Sequence, residues 1–462
     1  MTRLTRYLVP GLLALAVVVA VQLQAQNGRP SADLLTRIDA IVQAPITAGK
    51  VAGTSVAVVK SGTTILSKGY GVADLEWNVP MPADATFEIG SITKQFTAAA
   101  VLLLRDEGKL SLDDPITKYL PDYPTQGKTV TLRRLLNHTS GIKGYTEMEA
   151  FGDFQRLDKP RQALVDLFAA QPFDFEPGEE QIYNNSAFFL LGLVIEKVAG
   201  QPYADVVKQR LFDKVGMPSS YYCSEKVIHK NHAHGYDTDA TGLVLKDFLD
   251  HDWPYAAGSL CSNTTDLVAW NRALHGGKVL RPASYTEMTT PGTLSDGTAI
   301  RYGYGISVAD IGGRRAIAHG GGIHGFLSES EYYPDDDLIV VVLQNSAGPS
   351  GPRDTAMKIA EAVLGRAPSR ARPFTGDAAA YAGTYTGRGR GRASTVTIAA
   401  DRGGLTLTRP GAPGGAAAAL EYRGGEVFAD RDTLLTFERR DGRVMRLRID
   451  TGSGHNVLTR QP

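Results

Sequence analysis

Cysteine is almost missing from this chain, with only Cys223 and Cys261 among 462 residues. Two cysteines cannot build a disulfide framework. Net charge is missing too. The 49 basic residues balance 49 acidic ones, which leaves no field for nucleic acid or an anionic surface. The content of hydrophobic residues, 43%, is ordinary for a globular chain that can bury a large core. Long apolar runs are scarce. The N-terminal one, residues 8–21, follows Arg3 and Arg6, is interrupted by Pro10 and Gly11, and is short for a spanning helix. It reads as an export signal over residues 1–25, with cleavage near Ala25, and predicts a periplasmic or secreted protein. No cysteine lies there to carry a lipid, so membrane attachment would require an uncleaved signal. In an exported chain, Cys223 and Cys261 invite one bridge, the alternative being two buried thiols. His229, His232 and His234 sit in a polar loop beside Lys230 and Asn231 with no matching carboxylate helix, so they read as solvated histidines and no metal is expected.

What is present is a serine and a lysine three apart at a helix start. Ser91-Ile92-Thr93-Lys94 opens a stretch, 92–104, almost free of helix breakers, with Gly90 before it and Gly108 after it. At that spacing the two side chains share one helix face, and an ammonium there lowers the cost of an alkoxide on Ser91. A second copy, Ser140-Gly141-Ile142-Lys143, carries a glycine directly after its serine and reads as a turn. Downstream come Tyr183-Asn184-Asn185, entered from a Pro177-Gly178 turn and followed by an apolar helix over 187–198, and then His319-Gly320-Gly321 after an expected strand over 314–318. A similar His275-Gly276-Gly277 closes a helix and reads as its C-cap.

Taken in order, Ser91-x-x-Lys94, Tyr183-x-Asn185 and His319-x-Gly321 resemble the three signatures of the penicillin-recognising serine hydrolases. The tyrosine in the second motif is similar to the branch holding class C β-lactamases, D-alanyl-D-alanine carboxypeptidases, D-aminopeptidases and β-lactamase-like esterases. The likeness runs over about 34–364 and includes the blocks 132–141, 177–200 and 257–270. It implies an exported serine hydrolase that cleaves an amide or ester of a small-molecule or peptide substrate, a D-amino-acid peptide or ester of the kind related to the cell wall, through an acyl-enzyme and without a cofactor. Ser91 is then the nucleophile, Lys94 and Tyr183 the coupled proton carriers, and Asn185 the partner of Lys94 and of the substrate amide. The resemblance also carries over backbone N–H groups of Ser91 and Gly322 as the oxyanion donors. It leaves two alternatives open, a β-lactamase and a penicillin-binding or regulatory module with little turnover.

The third motif departs from the family pattern. Where β-lactamases usually offer Lys-Thr-Gly, His319-Gly320-Gly321 replaces the cation and deletes a hydroxyl, and a histidine is mostly neutral at pH 7. Two lost charge-assisted contacts, roughly 1.5–3 kcal/mol each, disfavour substrates with a free carboxylate and favour esters or peptides with a free amine. Arg314 and Arg315 point to opposite faces of their strand, so only one could compensate.

Turn signals give the organisation. An opening hairpin (54–59 and 64–69), helices to about residue 274 (161–170 and 203–212 among them), strands at 314–318, 328–333 and 338–344, and a helix at 354–364 predict an α/β domain over 31–366. The family resemblance makes this a β-lactamase/transpeptidase-like sandwich with an inserted helical domain and the site at their junction. After a Pro- and Arg-rich linker, 366–373, where few contacts are expected to cross, short strands at 381–385, 394–399, 405–409, 420–422, 434–439 and 444–449 predict a small antiparallel all-β barrel or sandwich over 374–462.

Overall fold

The computed structural model describes residues 30–389, 392–409, 417–452 and 454–462, so the expected signal segment lies outside the described residues. Among those residues no helix is long and apolar enough to cross a membrane. The fold is a mixed α/β sandwich with a helical insertion and a C-terminal barrel.

The sheet has seven antiparallel strands, β1 (Gly53–Lys60), β2 (Thr63–Asp74), β3 (Val79–Pro80), β4 (Ser307–Ile311), β5 (Arg314–Ile323), β6 (Phe326–Tyr333) and β7 (Leu338–Gln344). They lie in the order β3-β2-β1-β7-β6-β5-β4. β1 and β7 are the central pair, and β7 is buried along its whole length, as its continuous apolar run requires. One face is covered by α1 (Ala32–Thr47), capped by Ser31, and by α4 (Pro352–Leu364). The glycines of the third motif do not end the strand, because β5 runs on through them to Ile323.

Between β3 and β4 the chain builds the helical region around α2 (Thr93–Asp106), whose residues are mostly buried, and α3 (Asn185–Ala199). The cap of α3 is Asn184, whose side chain accepts from the Ala187 N–H, and Gly200 closes it at φ 70°. The segment expected as one helix over 203–212 breaks into Tyr203–Val207 and a π-helical turn, Lys208–Phe212. Cys223 and Cys261 form a disulfide that staples the chain beside the short strand Leu260–Ser262.

The C-terminal strands, β8 (Gly383–Gly389), β9 (Arg392–Asp401), β10 (Gly404–Thr408), β11 (Ala418–Gly424), β12 (Val427–Asp430), β13 (Thr433–Arg440), β14 (Arg443–Asp450) and β15 (His455–Arg460), close into an eight-stranded barrel. Its interior holds Tyr385, Ile398, Leu407, Phe428, Phe437 and Leu447. Individual polar contacts tie the barrel to the α/β domain. Arg301 Nε donates to Asp450 Oδ2 at 3.0 Å, its Nη2 donates to the main-chain oxygens of Asp432 and Asp450, and the His455 N–H donates to Gln181 O. The cause is chemical. Arg301 and Asp450 are each only 16% exposed, and groups so covered must be paired.

Candidate active site

Ser91 lies on a 3-10 turn, Gly90–Ile92, that feeds directly into α2. Gly90 holds φ 50°, and a Cβ there would stand 2.9 Å from Gly322 N, so this glycine lets the glycine end of β5 lie against the nucleophile turn. Lys94, one helical turn on, is fully buried. Its Nζ donates to Ser91 Oγ at 3.0 Å, to Asn185 Oδ1 at 2.8 Å and to the Ala257 carbonyl at 2.8 Å. A buried ammonium needs such partners, and here one of them is the Ser91 hydroxyl.

Asn185 is fixed at both ends of its amide, because its Nδ2 donates to Thr146 Oγ1 at 3.0 Å while its oxygen faces Lys94. Tyr183, two residues earlier, presents its ring to Lys94 Nζ at 4.7 Å from the centroid. The Tyr183 segment hangs from His138, which reading the sequence missed. His138 O accepts from the Ile182 N–H, its Nδ1 accepts from the Asn184 N–H, and its ring lies 4.5 Å from that of Tyr183. Accepting at Nδ1 sets its neutral Nε2–H tautomer. The available signal was the unusual His138-Thr139-Ser140-Gly141 turn, where His138 takes φ 64°.

His319 is brought to the same place and turned inward. Its Nδ1 donates to Gly320 O at 2.6 Å and its Nε2 accepts from the buried Tyr302 hydroxyl at 2.8 Å. Burial, with the nearby Lys94 charge, pushes its pKa down to about 3. It therefore stays neutral across the physiological range and supplies no cation. Gly321 faces the nucleophile turn so closely that a Cβ would stand 2.0 Å from Ile89 O and 2.3 Å from Ser328 Oγ. Gly322 is exposed beside Ser91.

Two cavities flank the serine, and Ser91, Gly322 and Leu327 line both. One, about 420 Å³, is walled by Tyr183, Tyr302, His319, Glu329 and Arg353. The other, about 370 Å³, is lined by Asn185, Tyr145, Phe151, Leu249, Ile323 and Asp237.

The remaining candidates fall elsewhere. Lys143 pairs with Asp174 at 2.9 Å, and Gly141 turns the chain at φ 75°, so the second Ser-x-x-Lys is a structural turn. His275 stacks on Tyr332 at a helix end. Arg314 is tied to Asp336 and to the end of α4, and neither it nor Arg315 lines a cavity at Ser91. The three loop histidines are not simply solvated. His229 stacks on Tyr221, His232 faces the Tyr221 hydroxyl and His234 meets Asp74, and all three line one cavity of about 350 Å³ away from Ser91.

The comparisons agree with this constellation. The beta-lactamase family model matches residues 38–364. This chain belongs to that family. A D-aminopeptidase of Brucella anthropi is 30% identical over 71% of this chain and 62% of its own length, so the match spans less than two thirds of that relative. A penicillin-binding protein of Bacillus subtilis (strain 168) is 30% identical over 67% of this chain and 72% of that protein. Among solved structures, a D-amino acid amidase from Ochrobactrum anthropi SV3 complexed with D-phenylalanine is 27% identical with a TM-score of 0.62, over 72% of this chain and 99% of that one. An octameric penicillin-binding protein homologue from Pyrococcus abyssi is 26% identical with a TM-score of 0.63, over 92% of this chain and 99% of that one. The matched region, residues 38–364, is of the β-lactamase-related serine hydrolase type.

Proposed function

We propose that this hydrolase is an exported amidase that cleaves amides of D-amino acids, including D-aminoacyl peptides, through an acyl-enzyme on Ser91. The observation that carries the reading is the contact of Lys94 Nζ with Ser91 Oγ inside a ring of Asn185, Ala257 and Tyr183. Ser91 Oγ bonds to the substrate carbonyl carbon while its proton passes to the Lys94–Tyr183 pair, and the N–H groups of Ser91 and Gly322 hold the oxyanion. The C–N bond then breaks and the leaving nitrogen takes the proton. Water repeats the sequence on the ester, releasing the acid and returning a proton to Ser91. Of the two cavities Tyr183 lines the 420 Å³ one, which supports that side as the leaving-group side, and Asn185 lines the 370 Å³ one, which supports that as the acyl side.

The acyl cavity supports an amino-acid substrate. Its Tyr145, Phe151, Leu249 and Ile323 suit an apolar or aromatic side chain, and Asp237 adds an acidic group to the same lining. The D configuration rests on the D-aminopeptidase and D-amino acid amidase relatives. Export rests on the N-terminal segment, and the Cys223–Cys261 disulfide supports an oxidising compartment. The test is a panel of D- and L-phenylalanine p-nitroanilides, p-nitrophenyl butyrate and nitrocefin, with mass spectrometry of the Ser91 peptide. The expected result is preferential turnover of the D-anilide with a transient adduct on Ser91. Efficient nitrocefin hydrolysis with an inert D-anilide would replace this reading by a β-lactamase.

A further inference from the structure

Gly320 and Glu329 are register partners on β5 and β6, so their side-chain positions share one face of the sheet. A Cβ on Gly320 would stand 2.6 Å from Glu329 Oε2. The glutamate therefore fills the space that a side chain at the middle position of the third motif would occupy. It is only 4% exposed, yet it lines the 420 Å³ cavity together with Ser91, Tyr183 and Arg353. Where a hydroxyl in this place would donate to a substrate carboxylate, a carboxyl group inverts the chemistry.

We propose that Glu329 selects the leaving group, accepting a hydrogen bond from an N–H donor on it and repelling leaving groups that end in a carboxylate. The preferred peptides are then D-aminoacyl compounds whose second residue ends in a carboxamide or carries an amine. This rests on the assignment of the Tyr183 side to the leaving group. The cavity is far larger than ammonia needs, which fits a leaving group of amino-acid size.

The groups that face Glu329 are Glu331 and Tyr333 on its own strand, Arg353 at the start of α4, and Asp432 from the barrel, which Arg353 meets at 3.4 Å; His319 points to the opposite face. Burial raises the Glu329 pKa to about 7, with Arg353 opposing the rise and Asp432 adding to it. Burial and the neighbouring Glu329 hold Glu331 well above the carboxylate range, and its Oε2 accepts from the Tyr333 hydroxyl. Rising pH thus moves Glu329 from a neutral carboxyl that tolerates a carboxylate towards an ionised one that repels it.

The experiment compares D-Phe-D-Ala with D-Phe-D-Ala amide, which share acyl group and N-terminal amine, so effects on the amine and on active-enzyme concentration cancel in the ratio. At about pH 8 the wild type should favour the carboxamide by about tenfold or more in kcat/KM, and Glu329→Gln should collapse that preference to about threefold or less. In the wild type the preference should also grow as pH rises from about 5 to about 9. A preference unchanged in Glu329→Gln, or a wild type that favours the free carboxylate, overturns the proposal. Should the variant fail to fold, a ratio that stays flat with pH in the wild type overturns it instead. If D-phenylalanine p-nitroanilide is inert, the D-amide reading fails by itself, and glycolate and glycolamide esters of whichever acyl group is turned over carry the same comparison.

Discussion

The contact of β5 with the nucleophile turn gives a sharp test of the site geometry. In Gly321→Ala the new Cβ would stand 2.0 Å from Ile89 O and 2.3 Å from Ser328 Oγ, the first a main-chain atom next to Gly90 and Ser91. Carbon and oxygen need more than 3 Å, so the strand or the turn must move by about 1 Å. That movement separates the Gly322 N–H from the Ser91 N–H, the two donors proposed for the oxyanion. A displacement of that size costs on the order of 100-fold in rate, while overpacking costs about 1–3 kcal/mol of stability. In the neighbouring Gly322→Ala the new Cβ would meet only Leu327 Cδ2, at 3.3 Å, a side chain that can give way. We therefore expect kcat/KM on the substrate the panel reveals to fall about 100-fold in Gly321→Ala and less than about tenfold in Gly322→Ala, with thermal unfolding measured alongside. Equal losses in the two variants, or full activity in Gly321→Ala with an unchanged Tm, would refute the assignment of β5 as the oxyanion strand.

Other consequences are testable directly. Ser91→Ala should remove nearly all turnover and all labelling by a fluorophosphonate while remaining folded, whereas Ser140→Ala should keep its rate within about tenfold. Replacing His319 by Lys and Gly320 by Thr restores the family's usual pattern on paper, but the threonine would collide with Glu329, so β-lactam hydrolysis should not rise until Glu329 is also reduced to Ala. Arg301→Ala leaves the covered Asp450 carboxylate without its partner and should lower the stability of the docked barrel by roughly 1–3 kcal/mol, read as an earlier transition in thermal unfolding. Beneath the nucleophile turn, His251 meets Glu88 at 3.2 Å and also contacts Glu225. Although burial pulls the other way, these partners raise His251 from 6.5 to about 9, and His251 with Lys246 lowers Glu88 from 4.5 to about 2. The histidine contribution is complete below pH 6.5 and lost as pH rises through 9, and the glutamate contribution is complete above pH 4.5 and lost as pH falls through 2. Tm should thus decline between about pH 6.5 and 9, and a Tm that is flat or rises there would contradict the pair.

Local sequence was enough wherever a short-range rule decides the outcome. The Ser91/Lys94 spacing on a helix places two side chains together whatever the rest of the fold does, the apolar run of β7 demands a covered strand, and the alternating tail segments demand a small β structure. The order of the three motifs sufficed to name the family. Sequence could not see partners separated by long stretches of chain. The Ala257 carbonyl at Lys94, His138 beneath Tyr183, Tyr302 on His319 and Glu329 over Gly320 all arise from strand register and helix packing, which no local pattern encodes. The linker looked like a clean boundary because composition reports chain flexibility, whereas docking depends on Arg301 meeting Asp432 and Asp450 across an interface. The sequence by itself picked out the residues that the fold then brings together, Ser91, Lys94, Tyr183, Asn185 and His319. The tertiary structure decided their environment, since burial made His319 a neutral strut and strand register set Glu329 in the cavity beside Ser91, and burial is a property of the assembled fold.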